Sequence, residues 1–355
     1  MSARPALAVA LAALAASALL AAGASAAPGS APIRGTVWVA NEGGDSVTAI
    51  DAATSRTVVT LTGIPGPHNV QVSENGRSVW AVSGGSSVVA AVDARTYRLR
   101  GFVPTGAHPA HVILTPNGRT AYVSNSEDDT VTAIDTARLR TIATIPVGEY
   151  PHGLRPSPDG RWVYVANIDG GTVSVISTRT NRQVTEIPVG KKPVQVAFAP
   201  GGRFVYVSLN GEDAVAKIDA RSRRVVAKTP VGTGPVQLYV TPNGRTLVVA
   251  NQGTEDKPST TLSLVRLATF RRIADVETGK GAHGVVVDAA GARAYVTNIY
   301  GGDVAVVDLI ARRVVARIRV GEEPNGVSFS TRPPAKPRAG ELRLPLPTHS
   351  GGEGH

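Results

Sequence analysis

Apolar and polar positions alternate along this chain in short runs, and the runs repeat. A phrase of β-branched and aromatic residues reads Val37-Trp38-Val39-Ala40-Asn41, then Val79-Trp80-Ala81-Val82-Ser83. It returns as Ala121-Tyr122-Val123-Ser124-Asn125, Val163-Tyr164-Val165-Ala166-Asn167 and Val205-Tyr206-Val207-Ser208-Leu209. Leu247-Val248-Val249-Ala250-Asn251 and Ala294-Tyr295-Val296-Thr297-Asn298 complete the series. The second residues stand at 38, 80, 122, 164, 206, 248 and 295, so five successive gaps are 42 residues and the last is 47. A fixed period in this range is the signature of a repeat architecture.

One period predicts four strands. In residues 151–191, Pro151 to Pro156 is an extended run, and Ser157-Pro158-Asp159-Gly160-Arg161 is a turn marked by its Asp-Gly pair. Trp162 to Asn167 is aromatic and β-branched, Thr172 to Ile176 alternates apolar and polar, and Arg182 to Ile187 closes the unit. Four short antiparallel strands, lettered A to D, make a propeller blade. The chain begins on a B strand at Val37; the missing A strand is Pro324-Asn325-Gly326-Val327-Ser328-Phe329 at the far end. The prediction is an all-β, seven-bladed β-propeller over residues 35–330, with one blade completed by both ends, which removes an open sheet edge.

The segments outside the ring read differently. Arg4, the apolar run Ala6 to Ala22 and the small residues Ala24-Ser25-Ala26 predict a signal peptide cut near Ala26. A secreted or cell-envelope protein follows from that reading, with no transmembrane span in the mature chain. The absence of cysteine excludes disulfides, a thiol nucleophile and covalent haem attachment. Residues 331–355 are rich in Pro and Gly, with few apolar residues beyond Leu342, Leu344 and Leu346, and predict a disordered tail.

Tyr295-Val296-Thr297-Asn298, Tyr164-Val165-Ala166-Asn167 and Pro188-Val189-Gly190 resemble the YVTN family of β-propeller repeats. So do the turns Pro116-Asn117-Gly118-Arg119 and Pro242-Asn243-Gly244-Arg245. The resemblance implies an exported seven-bladed propeller. It implies no single activity, because related propellers include surface-layer proteins, lactonase-like enzymes and propeller subunits of redox enzymes.

Sorting loops by face resolves the net charge of +10. The A–B and C–D turns share one face. Its A–B turns carry Arg77, Arg119, Arg161, Arg203, Arg245 and Arg293 at matched positions. Such a basic face fits a protein partner or an anionic polymer. Nucleic acid is the weaker candidate, since the aromatic interleaving of single-strand binding is missing. Asp51, Asp93, Asp135, Asp219 and Asp308 open the C–D turns and read as turn formers. The other face holds acidic B–C turns, an insertion at Gly253 to Ser259 and most of the histidines.

Aligned on the residue that opens each A strand, one position reads His68, Ala110, His152, Val194, Val236, His283 and Asn325. The next reads Asn69, His111, Gly153, Gln195, Gln237, Gly284 and Gly326, and His108 precedes Pro109. A strands line the central channel of a propeller, so His68, His108, His111, His152 and His283 are expected at its mouth. Neutral imidazoles bind zinc or copper, which makes His68, His111 and His152 candidate metal ligands. Short regular loops favour a monomeric, non-enzymatic scaffold over an enzyme. The alternatives are a metal-assisted, lactonase-like hydrolase using these histidines with carboxylates such as Glu127 and Asp169, or a redox-accessory propeller. The Asn that ends the B-strand phrase reads as structural.

Overall fold

The computed structural model describes residues 33–346, so the leader-peptide reading of residues 1–26 falls outside the described residues. Seven antiparallel sheets follow one another around a central channel, with A strands innermost. Blade 4 runs Pro151–Pro156, Trp162–Asn167, Thr172–Ser177 and Arg182–Pro188, within a residue of the sequence expectation. Blade 1 takes its A strand, Pro324–Ser330, from one end of the chain and Thr36–Asn41, Ser46–Asp51 and Arg56–Thr62 from the other. Among the described residues no helix is long and apolar enough to cross a membrane.

The repeated phrase is central because its second residue fills the space between blades. Trp38, Trp80, Tyr122, Tyr164, Tyr206 and Tyr295 are all buried. The apolar clusters mix neighbouring blades: Tyr164, Val173 and Val175 of blade 4 pack with Val205, Val207 and Ile218 of blade 5. Removing one such aromatic side chain costs about 3–5 kcal/mol. The terminal Asn is structural, as expected: Asn125 Nδ2 donates to Thr130 and Thr132 Oγ1 across the B–C hairpin, each at 2.9 Å, and Asn167 repeats the arrangement.

Turn carboxylates are committed to backbone. Asp93 Oδ1 accepts from the N–H groups of Arg95 and Thr96, and Asp219 Oδ1 from those of Arg221 and Ser222. On the other face Asp45, Asp129 and Asp213 accept from Gly66, Tyr150 and Gly234 N–H at 2.8 Å, tying each B–C turn to the following D–A turn.

Within the segment expected to be disordered, residues 331–346 depart from that expectation, and residues 347–355 lie outside the described residues. Residues 331–346 are ordered against blades 1 and 2. Glu341–Arg343 adds a fifth, parallel strand to the outer edge of Arg56–Thr62, and Leu344 is buried beside Leu61 and Tyr97. Tyr97 Oη donates to Ala335 O at 2.6 Å. The alternation Leu342-Arg343-Leu344-Pro345-Leu346 explains the docking: it is a period-two strand pattern, and the D edge offers unpaired backbone.

Candidate functional site

A backbone irregularity creates the site. The A–B ladder shifts register at the start of the A strand, between Pro109 and Val112, Pro151 and Leu154, Pro193 and Val196, and Ala282 and Val285. The two residues skipped in each blade are the two aligned positions that carry His111, His152, Gln195 and His283. Bulges re-aim side chains and are common beside functional sites. Here they turn imidazoles and amides out of the sheet. A hydroxyl from the repeated phrase holds the bulges in place: Ser124 Oγ accepts from His111 N–H at 3.1 Å and donates to His152 O at 2.6 Å. Gly326 closes the ring, donating its N–H to His68 O at 3.1 Å; a Cβ there would stand 2.7 Å from Asn69 Cα.

Four imidazoles converge. His68 lies with ring centroids 5.5 Å from His111, 5.0 Å from His152 and 6.0 Å from His283. One nitrogen from each of His68, His111 and His152 falls within 4.8 Å of the others. His111, His152 and His283 are buried, and His68 is only partly exposed.

The hydrogen bonds around the rings decide the tautomers. His152 Nδ1 meets the Val194 carbonyl at 3.2 Å, and a carbonyl only accepts, so Nδ1 carries the proton. His68 Nδ1 meets Glu42 Oε2 at 3.1 Å, and Glu42 also accepts from Asn325 Nδ2 at 2.6 Å. Burial by itself raises the Glu42 carboxyl; hydrogen bonds from His68 and Asn325 and the attraction of His68 outweigh it and bring the group down to about 2. An ionised Glu42 cannot donate, so His68 Nδ1 also holds a proton. The two Nε2 atoms face each other at 3.0 Å, and His152 Nε2 presents its lone pair to His68. A proton on His68 Nε2 or a metal ion shared by the two nitrogens accommodates that approach.

Burial also holds His111 and His152 well below the usual imidazole range and His283 down at about 3, with the neighbouring histidines adding to the effect. These rings are neutral at pH 7, the form that ligates metals. His111 Nε2 and His283 Nδ1 are buried without a hydrogen-bond partner. Gln195 reaches His111 Nδ1 only at 3.5 Å, too long to fix its tautomer.

Not every expected residue joins the cluster. His108 occupies the left-handed D–A turn position, φ 47°, that Gly66, Gly234 and Gly281 fill in other blades. The turn points its ring outward, where it is exposed and 4.0 Å from Glu127. Glu127 and Asp169 are likewise exposed turn residues. Glu42 is the carboxylate at the histidines. It follows the B-strand phrase, where other blades have Gly84, Ser126, Ile168, Asn210, Gln252 and Ile299, so the same alignment would have isolated it as the one acid. The insertion folds into a small hairpin closed by a Gly253–Pro258 bridge, with Glu255, Asp256 and Lys257 exposed.

On the opposite face the matched arginines sit on the A–B turns. Arg161 pairs with Asp159 at 2.7 Å, Arg203 with Asp219 at 3.6 Å and Arg293 with Asp308. Among the described residues Arg77, Arg119 and Arg245 form no ion pair. Three residues past each histidine position the A strands present another layer to this mouth. It contains Arg155, with Gln71, Tyr239 and Ser328 as polar companions and Ile113, Ala197 and Val286 as apolar ones. They line a cavity of about 590 Å³.

A protein family described as lactonase, 7-bladed beta-propeller, matches residues 28–198, just under half of the chain. No curated protein matches. Among solved structures, a chain of Kuenenia stuttgartiensis hydrazine synthase is 25% identical with a TM-score of 0.68, over 76% of this chain and 90% of its own. A putative 6-phosphogluconolactonase from Bacteroides fragilis is 14% identical with a TM-score of 0.72, over 85% and 99%. One from Bacteroides uniformis is 16% identical with a TM-score of 0.70, over 84% and 99%. At those identities the two Bacteroides structures attest the shared fold alone.

Proposed function

We propose that this propeller is a metal-assisted lactone hydrolase whose centre is the histidine mouth of the channel. The observation that carries the reading is the convergence of one ring nitrogen each from His68, His111 and His152 within 4.8 Å, with the His68 and His152 Nε2 atoms at 3.0 Å. Two nitrogens bound to one zinc stand about 3.3 Å apart, from Zn–N distances near 2.0–2.1 Å. A shared proton would also satisfy that pair, but it would leave His111 Nε2 buried and unpartnered. A metal ion uses all three. The donor set fits zinc or copper, and Glu42 and the Val194 carbonyl act as the outer partners that orient metal-binding imidazoles. The lactonase family description supports this reading over a scaffold, and three of the six matched arginines already have aspartate partners.

A bound zinc supplies Lewis acidity, lowering the pKa of water to about 7 and polarising a carbonyl. In the hydrolysis a water oxygen bonds to the lactone carbonyl carbon, the ring C–O bond breaks, and the water's proton ends on the departing ring oxygen. The product is a hydroxy acid. His68, His111 and His152 would hold the ion. Neutral His283, its ring 6.0 Å from that of His68, is the neighbouring imidazole that would relay the proton. The composition of residues 1–26 supports placing this activity outside the cytoplasm.

Metal content by mass spectrometry and hydrolysis of γ-butyrolactone and glucono-δ-lactone test the reading together. Stoichiometric metal that is lost with activity in His68→Ala and His152→Ala is the expected result. A metal-free protein whose melting temperature ignores added zinc and copper, or lactone hydrolysis unchanged in His152→Ala, would sink it.

A further inference from the structure

The arginine mouth carries a second site, which stands apart from the hydrolase reading. Arg155 is partly buried in the channel wall, and burial pushes its guanidinium pKa down. It forms no ion pair among the described residues, and its recorded hydrogen bond is a 3.4 Å contact from Nη1 to Leu154 O. A guanidinium has five N–H donors in a planar fork, so most of its capacity is uncommitted. A desolvated charge with no partner costs stability, and proteins retain such costs mainly at functional positions.

The surroundings of Arg155 point to a ligand. The guanidinium lines a cavity of about 590 Å³, within the ordinary range of small-molecule pockets. Tyr239, half-buried in the same wall, lies near enough to Arg155 for the guanidinium charge to act on its phenol. The remaining wall is largely apolar, with Ile113, Phe198, Val286 and Phe329. The carboxylate nearest the rim, Glu74, is exposed in its turn and does not pair with Arg155.

We propose that this cavity binds a small organic monocarboxylate, with the carboxylate on the Arg155 fork and the Tyr239 hydroxyl and the carbon body against the apolar wall. One fork matches one carboxylate bidentately. A phosphate dianion calls for more positive charge than a single guanidinium, and it has no body to cover the apolar residues.

Calorimetric titration of the full chain with benzoate, benzyl alcohol and inorganic phosphate tests this. Benzoate should bind more tightly than either of the others. Arg155→Gln should weaken benzoate about tenfold or more, the value of one charge-assisted hydrogen bond, and should raise the melting temperature by removing an unpaired cation. Tyr239→Phe should weaken it by a smaller factor, while His152→Ala should leave it unchanged, which separates this site from the histidine mouth. Equal binding of benzoate and benzyl alcohol, tighter binding of phosphate, or no binding of benzoate would overturn the proposal. So would an Arg155→Gln protein that melts lower yet binds benzoate as before. Should Arg155→Gln fail to fold, Arg155→Lys decides: it keeps the charge, loses the fork, and must still weaken benzoate.

Discussion

The two ends of the channel are built from the same seven A strands, about three residues apart, yet they treat buried charge in opposite ways. At the histidine mouth the ionised Glu42 is paired with His68 and capped by Asn325. The imidazoles around it are kept neutral by burial. At the arginine mouth, among the described residues, no acid pairs with the Arg155 guanidinium. The first arrangement gathers ring nitrogens, and the second leaves a guanidinium fork uncommitted. A strand repeated seven times supplies identical backbone at both ends. Chemistry enters wherever one blade departs from the repeat.

The sharpest way to break this comparison is His152→Ala. It should remove bound metal and lower lactone hydrolysis by about a hundredfold or more, in line with general acid–base and metal contributions, with benzoate affinity as the internal control. Glu42→Gln comes next. A neutral amide orients His68 less strongly, so metal affinity measured by chelator competition should fall about 10–100-fold; an unchanged affinity would show that the carboxylate is not an outer partner of the metal. Arg155→Gln follows with its roughly tenfold loss of benzoate.

The smallest effect is expected at the strap on the arginine face. The Tyr97 hydroxyl bonded to Ala335 O is worth about 1 kcal/mol. Burial raises that phenol to about 12 from an ordinary 10, so its contribution is complete below pH 10 and disappears as pH climbs through 12. Trp38, whose ring lies 6.1 Å from Tyr97, can report the transition by fluorescence. Tyr97→Phe should abolish that alkaline step and leave the histidine mouth untouched. If the step persists in the variant, some other group causes it.

The ring was legible because its signal is redundant. Seven copies of one phrase set the strands, and the missing A strand pointed to closure by both termini. His68, His111, His152 and His283 were legible through the same alignment. What failed had local causes. His108 is one residue away from the channel position in sequence, but it sits in a left-handed turn that reverses its direction. Glu42 was hidden among B–C turn acids whose usual work is to bind the next turn's backbone. Arg155 was lost among 37 basic residues, since its meaning depends on which layer of the channel it faces. The tail was judged by composition, while three alternating leucines carried the information.

Closure of blade 1 ties the histidine site to completion of the ring. Glu42 and Asn325 are separated by 283 positions, and they meet on one imidazole only when the last A strand seats against the first B strand. A chain released early, or a ring still open, has its histidines but lacks the group that caps Glu42. The final strand therefore works as a latch: the polar surroundings of His68 are complete only in the closed ring.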